Sequence, residues 1–365
     1  MRVSIHDLPT PALLVDLDVL EENVGWMANR ADALGVALRP HLKTHKCVEI
    51  ARLQREAGAR GATVATLEEA RAFAHHGFED LTWAFPVIPG RIDEALAIAE
   101  RIDFRLLVDS EAAVEALEAT RFPFHVWLEI DCGDHRSGVP PGSEAALGLA
   151  RRLADSPTLR FDGVLTHAGQ AYRAPSRAGI EAAAAEERDV TVGFAQRARA
   201  EGIELAGVSV GSTPTMRVVD RLEGVTEIRP GNYVYFDLTM VSLGVCEPSD
   251  CALTVLASVV SSPPGADHSV VDAGALALSK DAGRSDAEPA SMGRIFADPA
   301  AGTLREDTRL VSLSQEHGVV SAPLPIGQRV RILPNHSCLA AACFDSVHAV
   351  RGEEVVAVWP VRRER

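Results

Sequence analysis

Along the first two-thirds of the chain, short apolar runs rich in β-branched residues alternate with longer segments rich in Ala, Leu, Glu and Arg. A short unbroken apolar run suits a parallel strand covered on both faces, and the longer segments space their apolar residues as helices do. The pattern predicts strands near residues 36–43, 61–66, 80–85, 103–109, 122–131, 160–167, 204–210 and 225–229. Helices are predicted near 17–34, 48–57, 67–76, 89–102, 110–120, 142–155, 176–201 and 213–221. Eight strand–helix alternations in about 235 residues have the size and rhythm of a (β/α)8 TIM barrel. A doubly wound open sheet is the alternative. No Gly-x-Gly-x-x-Gly follows an early strand, which counts against a dinucleotide fold.

Past residue 245 the texture changes. CALTVLASVVSS, HSVVDAG, RLVSLSQ, HGVVSA, QRVRILPN, SVHAVRG and EEVVAVWPVRR are short alternating runs separated by Gly, Pro and Asp. That alternation predicts an antiparallel β domain. SSPPGADH and DAGRSDAEPASMG read as turns or loops. The expected division is a barrel over residues 10–244 and a β domain made of residues 1–9 with 245–365. The opening IHDLPTPALLVD is also strand-like and is a candidate to pair with the β domain.

Composition narrows the function classes. The 365 residues are 47% hydrophobic and 24% charged, ordinary globular values. No window reaches the roughly 18 consecutive apolar residues of a membrane span. The start carries Asp7, Asp16 and Asp18 where a signal peptide needs a basic end and an apolar run. A soluble, cytoplasmic protein is expected, with no membrane partner. Thirty-six Lys and Arg against 51 Asp and Glu give a net charge of −15, which repels polyphosphate and argues against nucleic acid. Six scattered cysteines without a secretory signal suit buried thiols better than a disulfide framework.

Only three lysines occur: Lys43, Lys46 and Lys280. Lysine does one thing arginine cannot, which is to lose its proton and attack a carbonyl. Two of the three stand in HLKTHK, a run that also suits a solvated basic loop. Barrel chemistry lies at the carboxyl ends of the strands. The first predicted strand ends on Lys43, the seventh on Gly211-Ser212-Thr213 and the eighth on Gly231-Asn232. Gly211-Ser212-Thr213 combines a close backbone approach, two hydroxyls and a helix start, which attract phosphate; the run is equally an ordinary helix cap. A lysine in the low dielectric of the barrel mouth, its pKa lowered by burial and by nearby His and Arg charges, suits covalent attachment of a phosphate-bearing aldehyde. That aldehyde is pyridoxal 5′-phosphate.

Pro40-His41-Leu42-Lys43-Thr44-His45-Lys46 resembles the cofactor-lysine motif of the D-serine dehydratase and D-threonine aldolase family. These are fold-type III pyridoxal phosphate enzymes related to alanine racemase. The resemblance runs nearly end to end through Thr10-Pro11-Ala12, Asp131-x-Gly133-x-x-Arg136-x-Gly138, Thr166-His167-Ala168-Gly169, Gly211-Ser212-Thr213-Pro214, Arg229-Pro230-Gly231-Asn232-Tyr233 and Pro334-Asn335-His336-Ser337-Cys338. It implies an alanine racemase-like fold in which Lys43 carries the cofactor, with Lys46 the weaker candidate. By the same resemblance Arg136 holds the phenolic oxygen, His167 lies against the ring and Tyr172 stands near the pyridine nitrogen. Gly211, Ser212, Thr213, Gly231 and Asn232 are implied for phosphate. A head-to-tail homodimer with shared active sites is implied too.

His336-Ser337-Cys338 follows RVRILPN. On an extended segment His-x-Cys puts both side chains on one face, and imidazole plus thiolate is a zinc-type set. A buried Cys near a surface His is the plainer reading of the same pair. The resemblance implies a catalytic divalent metal on His336 and Cys338, zinc by its ligands, with Mn2+ or Mg2+ as alternatives. Cys343 and Asp345 lie close by as ligand, core or turn. Dehydratases of the family pair His with Cys and aldolases pair His with Asp. Cys338 therefore points to a D-serine dehydratase-like lyase on a small D-β-hydroxy amino acid, giving keto acid and ammonia. Retro-aldol cleavage to glycine and an aldehyde is the alternative. A racemase would need a second base, usually a β-domain tyrosine, yet Tyr172, Tyr233 and Tyr235 all precede that domain. A cofactor-holding protein without turnover would lack the β domain and its His-x-Cys pair.

Overall fold

The computed structural model describes residues 3–284 and 290–363. The chain divides into two compact units. One comprises Met27–Lys43 and Gln54–Gly231; the other comprises residues up to Trp26, Thr44–Leu53 and Asn232–Arg363.

The first unit holds eight parallel strands: β1 (Ala37–Leu38), β2 (Ala62–Val64), β3 (Asp80–Pro86), β4 (Asp103–Val108), β5 (His125–Glu129), β6 (Arg160–Leu165), β7 (Gly207–Val210) and β8 (Glu227–Ile228). They are bonded in the order β1-β8-β7-β6-β5-β4-β3-β2. A parallel bridge between His41 and Thr63, with the Thr63 N–H donating to the Pro40 carbonyl at 2.8 Å, joins the extension of β1 to β2 and closes the ring. The TIM barrel expected from the alternation is therefore what forms, since an open doubly wound sheet would leave two edges. Helices run between the strands where the spacing predicts them, from Leu17–Ala33 to Thr213–Val218. Four begin where a hydroxyl takes a first-turn N–H: Thr66 from Glu69, Ser143 from Ala146, Ser176 from Gly179 and Ser212 from Thr215, at 3.1, 3.1, 3.3 and 3.5 Å.

Inside the barrel, two glycines make room for an indole. A Cβ on Gly207 would lie 2.2 Å from the Trp127 ring, and Gly163, at φ +149°, lies against the Gly207 backbone. A polar chain also crosses this interior. Ser209 Oγ donates to Glu227 at 2.6 Å, Arg39 Nε donates to Glu227 at 2.9 Å, Arg39 and Arg105 share Asp80, and Arg105 Nε reaches Asp162 at 3.0 Å. Buried charges persist only when paired in this way.

The second unit is a ten-stranded sheet. It is antiparallel, as its alternation predicts, with one exception. Ala12–Asp16 pairs antiparallel with Leu253–Ser261 and parallel with Ser346–Arg351. The strand-like opening of the chain thus lies between late strands of the sheet. The helices Ala275–Leu278 and Ser337–Ala341 and the strand Arg294–Asp298 are additions that the alternation does not show. Four or five residues are too few to display a helical period.

Candidate active site

The barrel candidates sit on turns that follow strands. β1 stops at Leu38, and the chain passes through Pro40 into the 3-10 turn Leu42–Thr44. His41 is buried, and its Nδ1 accepts the Lys43 N–H at 3.4 Å. The Lys43 side chain is exposed. This differs from the low-dielectric setting expected from sequence, because the lysine rides on a turn beyond the strand and not on the strand itself.

After β5, Asp131 Oδ1 takes the N–H groups of Gly133 and His135 at 2.9 and 3.0 Å. This Asx-type turn folds the loop that presents Arg136, whose side chain is exposed. Glu129, buried at the end of β5, accepts from Ser137 Oγ at 2.9 Å. Burial pushes its carboxyl up in pKa, against the pull of Ser137 and Arg136.

After β6 comes His167, half-buried, with its ring 6.2 Å from the Tyr172 ring. Withdrawal from water, reinforced by the positive charges of Lys43, Arg136 and Arg229, holds its pKa well below the ordinary 6.5. Three cations from the turns after β1, β5 and β8 therefore act on one neutral imidazole from the turn after β6. Arg229 is buried and donates to Ser209 Oγ and the Thr166 carbonyl.

After β7 the helix-cap reading of Gly211-Ser212-Thr213 holds. The Thr215 N–H donates to Ser212 Oγ at 3.5 Å and the Ser212 N–H to Thr215 Oγ1 at 2.9 Å. Gly211, at φ +100°, donates its N–H to Glu187 at 2.9 Å, and the same carboxylate oxygen takes the Ala168 N–H at 3.3 Å. Glu187 is buried on the helix Arg177–Ala200, and burial raises its pKa. It was not distinguishable in the sequence, yet it ties together the turns after β6 and β7. The Gly211 and Ser212 N–H groups are used inside the protein, so an anion there would meet the Ser212 hydroxyl and the field of the helix start. Gly231 lies past Arg229 and Pro230 in the turn after β8.

The other candidates belong to the second unit. Asn232 Nδ2 donates to Asp237 at 2.7 Å and to Ser337 Oγ at 3.0 Å. Its side-chain donors are thus committed to Asp237 and Ser337. Among the described residues, Asn232 Oδ1 and the buried Tyr235 hydroxyl have no partner. Unpaired buried polar atoms are costly and mark places where a bound group can be held.

His336 and Cys338 come together, though not on an extended segment. His336 is the residue before the helix Ser337–Ala341, and Cys338 lies in its first turn. The two side chains lie near enough for the charge of each to act on the other. Burial would lower the His336 pKa, but its bond to Asp281 and its interaction with Cys338 lift it to about 11. Burial would raise the Cys338 thiol, but the interaction with His336 prevails and lowers it. Cys338 Sγ is 3.4 Å from the hydroxyl of Thr44, the neighbour of Lys43 in sequence. Cys343 bonds to the Leu339 carbonyl at 3.3 Å, and Asp345 pairs with Arg363 at 2.6 Å, so neither joins the pair. Among the described residues no cluster of three His, Cys, Asp or Glu forms a complete cage. Two protein ligands leave positions for water and substrate, as a catalytic metal requires. The donors fit a divalent metal, and the cations around His167 fit an anionic cofactor.

Two family models match the chain: Alanine racemase, N-terminal domain, over residues 15–239, and Putative serine dehydratase domain, over residues 252–350. The D-threo-3-hydroxyaspartate dehydratase of Delftia sp. (strain HT23) is 40% identical, covering 98% of this chain and 98% of its own. Its solved structure gives a TM-score of 0.93 and covers 98% of each chain. The D-serine dehydratase of Dictyostelium discoideum is 32% identical over 97% of this chain and 96% of its own. A solved D-threonine aldolase from Filomicrobium marinum is 29% identical, with a TM-score of 0.88 and coverage of 100% and 98%. A D-threo-3-hydroxyaspartate dehydratase, 39% identical to this chain, was also solved as a His→Ala variant and as a Cys→Ala variant, the second in a metal-free form. The two replaced residues stand two apart, the spacing of His336 and Cys338.

Proposed function

The chain belongs to the family that joins an alanine racemase N-terminal domain to a serine dehydratase domain, and from that premise we propose that it is a pyridoxal 5′-phosphate- and metal-dependent lyase removing water from a D-β-hydroxy amino acid. The observation that carries this reading is the convergence of Lys43, Arg136 and Arg229 on His167 at the carboxyl ends of the barrel strands. Bound there, the cofactor supplies the electron sink that makes the substrate Cα–H acidic. Lys43 Nζ would hold the cofactor and, once the substrate amine has taken its place there, would be the free amine that accepts the α-proton. Arg136 would balance an anionic oxygen of the cofactor, and His167, kept neutral by burial and by its cationic neighbours, would line the site without adding charge. His336 and Cys338 would hold a divalent metal, zinc by the thiolate ligand, and its Lewis acidity would suit departure of the β-hydroxyl.

Elimination is favoured over retro-aldol cleavage by Cys338 and by the 40% identical relative, which is named a dehydratase. Reconstituted with pyridoxal 5′-phosphate, the purified chain is expected to gain a visible absorption band that Lys43→Ala lacks. With D-serine, D-threonine and D-threo-3-hydroxyaspartate assayed side by side, keto acid should form in preference to glycine. Chelation should abolish turnover and leave the band. Glycine as the main product would replace elimination with retro-aldol cleavage, and turnover that survives chelation would remove the metal from the mechanism.

A further inference from the structure

The segment Ser279–Gly283, a loop in the sequence pattern, is built around one carboxylate. The Asp281 N–H donates to Ser279 Oγ at 3.2 Å, and Asp281 Oδ1 takes the Gly283 N–H at 2.8 Å. Asn335 clamps the loop from the other side: its Nδ2 donates to the Asp281 carbonyl at 3.0 Å and to the Ser291 carbonyl at 2.8 Å. Gly283 is at φ +67°, and a Cβ there would lie 3.1 Å from Asn335 Cγ, so the approach is close. The outcome is a single aim. Asp281 Oδ2 stands 2.9 Å from Nδ1 of His336, the residue that follows Asn335.

A carboxylate only accepts, so Nδ1 keeps its proton, and Nε2 is the nitrogen that gives up its own to offer a lone pair when a metal binds. That is the tautomer a metal ligand needs, and a carboxylate behind a ligating histidine fixes both the tautomer and the ring orientation. An exposed His–Asp ion pair would need none of the clamp. We propose that Asp281 is the positioning residue that presents His336 Nε2 to the divalent metal. This inference rests on the metal-dependent reading above.

The test titrates zinc into the pyridoxal phosphate-loaded enzyme against a chromophoric chelator, without substrate. Asp281→Asn keeps the shape and offers a weaker, neutral acceptor; its zinc affinity is expected to fall roughly tenfold, and that of Asp281→Ala toward a hundredfold. The cofactor's visible band should be unchanged in both. If Asp281→Ala folds poorly, Asp281→Asn decides. Zinc affinity equal to the parent's in Asp281→Asn, with affinity lost in His336→Ala, overturns the positioning role alone. If His336→Ala also binds zinc normally, the metal pair itself is wrong and the inference falls with it.

Discussion

His167 shows how a single side chain reports its surroundings. Its pKa lies well below 6.5 because it is withdrawn from water and faces Lys43, Arg136 and Arg229. In the unfolded chain the ring titrates at its ordinary value. Below that pH the unfolded state binds a proton that the folded state refuses, so stability is intact above 6.5 and falls as pH drops. Between about pH 7.5 and pH 5.5 the loss amounts to at most about 1.4 kcal/mol. His167→Gln cannot titrate, so its urea midpoint should fall less than the parent's over that interval; equal falls would mean that the folded ring titrates freely. Lys43 was legible in the sequence because lysine is so rare there. Asp281 and Glu187 were not, since nothing separates one Asp or Glu from the many others until contacts do.

The helix Arg177–Ala200 does more than cover the barrel. Glu187 reaches from it to the backbone after β6 and β7. Replacing it with Ala abandons two N–H groups, at about 1–3 kcal/mol each. Replacing it with Gln keeps an acceptor oxygen. Burial already favours the uncharged form of this carboxyl, so Glu187→Gln should lie near the parent in urea denaturation and Glu187→Ala far below it. Equal losses in both would place the cost in helix packing and not in the bonds. Elements of this length were readable from periodicity. The five-residue helix Ser337–Ala341 was not, and the extended geometry first expected for His-x-Cys gives way to a helix start that still brings the two side chains together.

At the scale of the molecule, the chain opens inside a sheet that its last third completes. Leu13, Leu14 and Val15 are fully buried between Leu253–Ser261 and Ser346–Arg351. Arg329 donates to the carbonyls of Ile5 and Leu8 at 2.8 Å, and Thr10 Oγ1 donates to Asp272 at 2.5 Å. Burial of one such aliphatic side chain contributes about 1.5–3 kcal/mol against a total stability of about 5–15 kcal/mol. Deleting residues 1–16 should therefore yield insoluble or unfolded protein; a soluble product melting with the parent would show that the strand is dispensable. By itself the sequence determined the barrel, the β domain and the identity of Lys43, His336 and Cys338 as candidates, because apolar periodicity, residue rarity and motif order are local properties of the chain. Only the tertiary structure decided that Ala12–Asp16 sits between late strands, that Glu187 ties two turns together, and that Asp281 stands behind His336. Each of those rests on a contact between residues far apart in sequence, and a linear pattern does not encode distance in space.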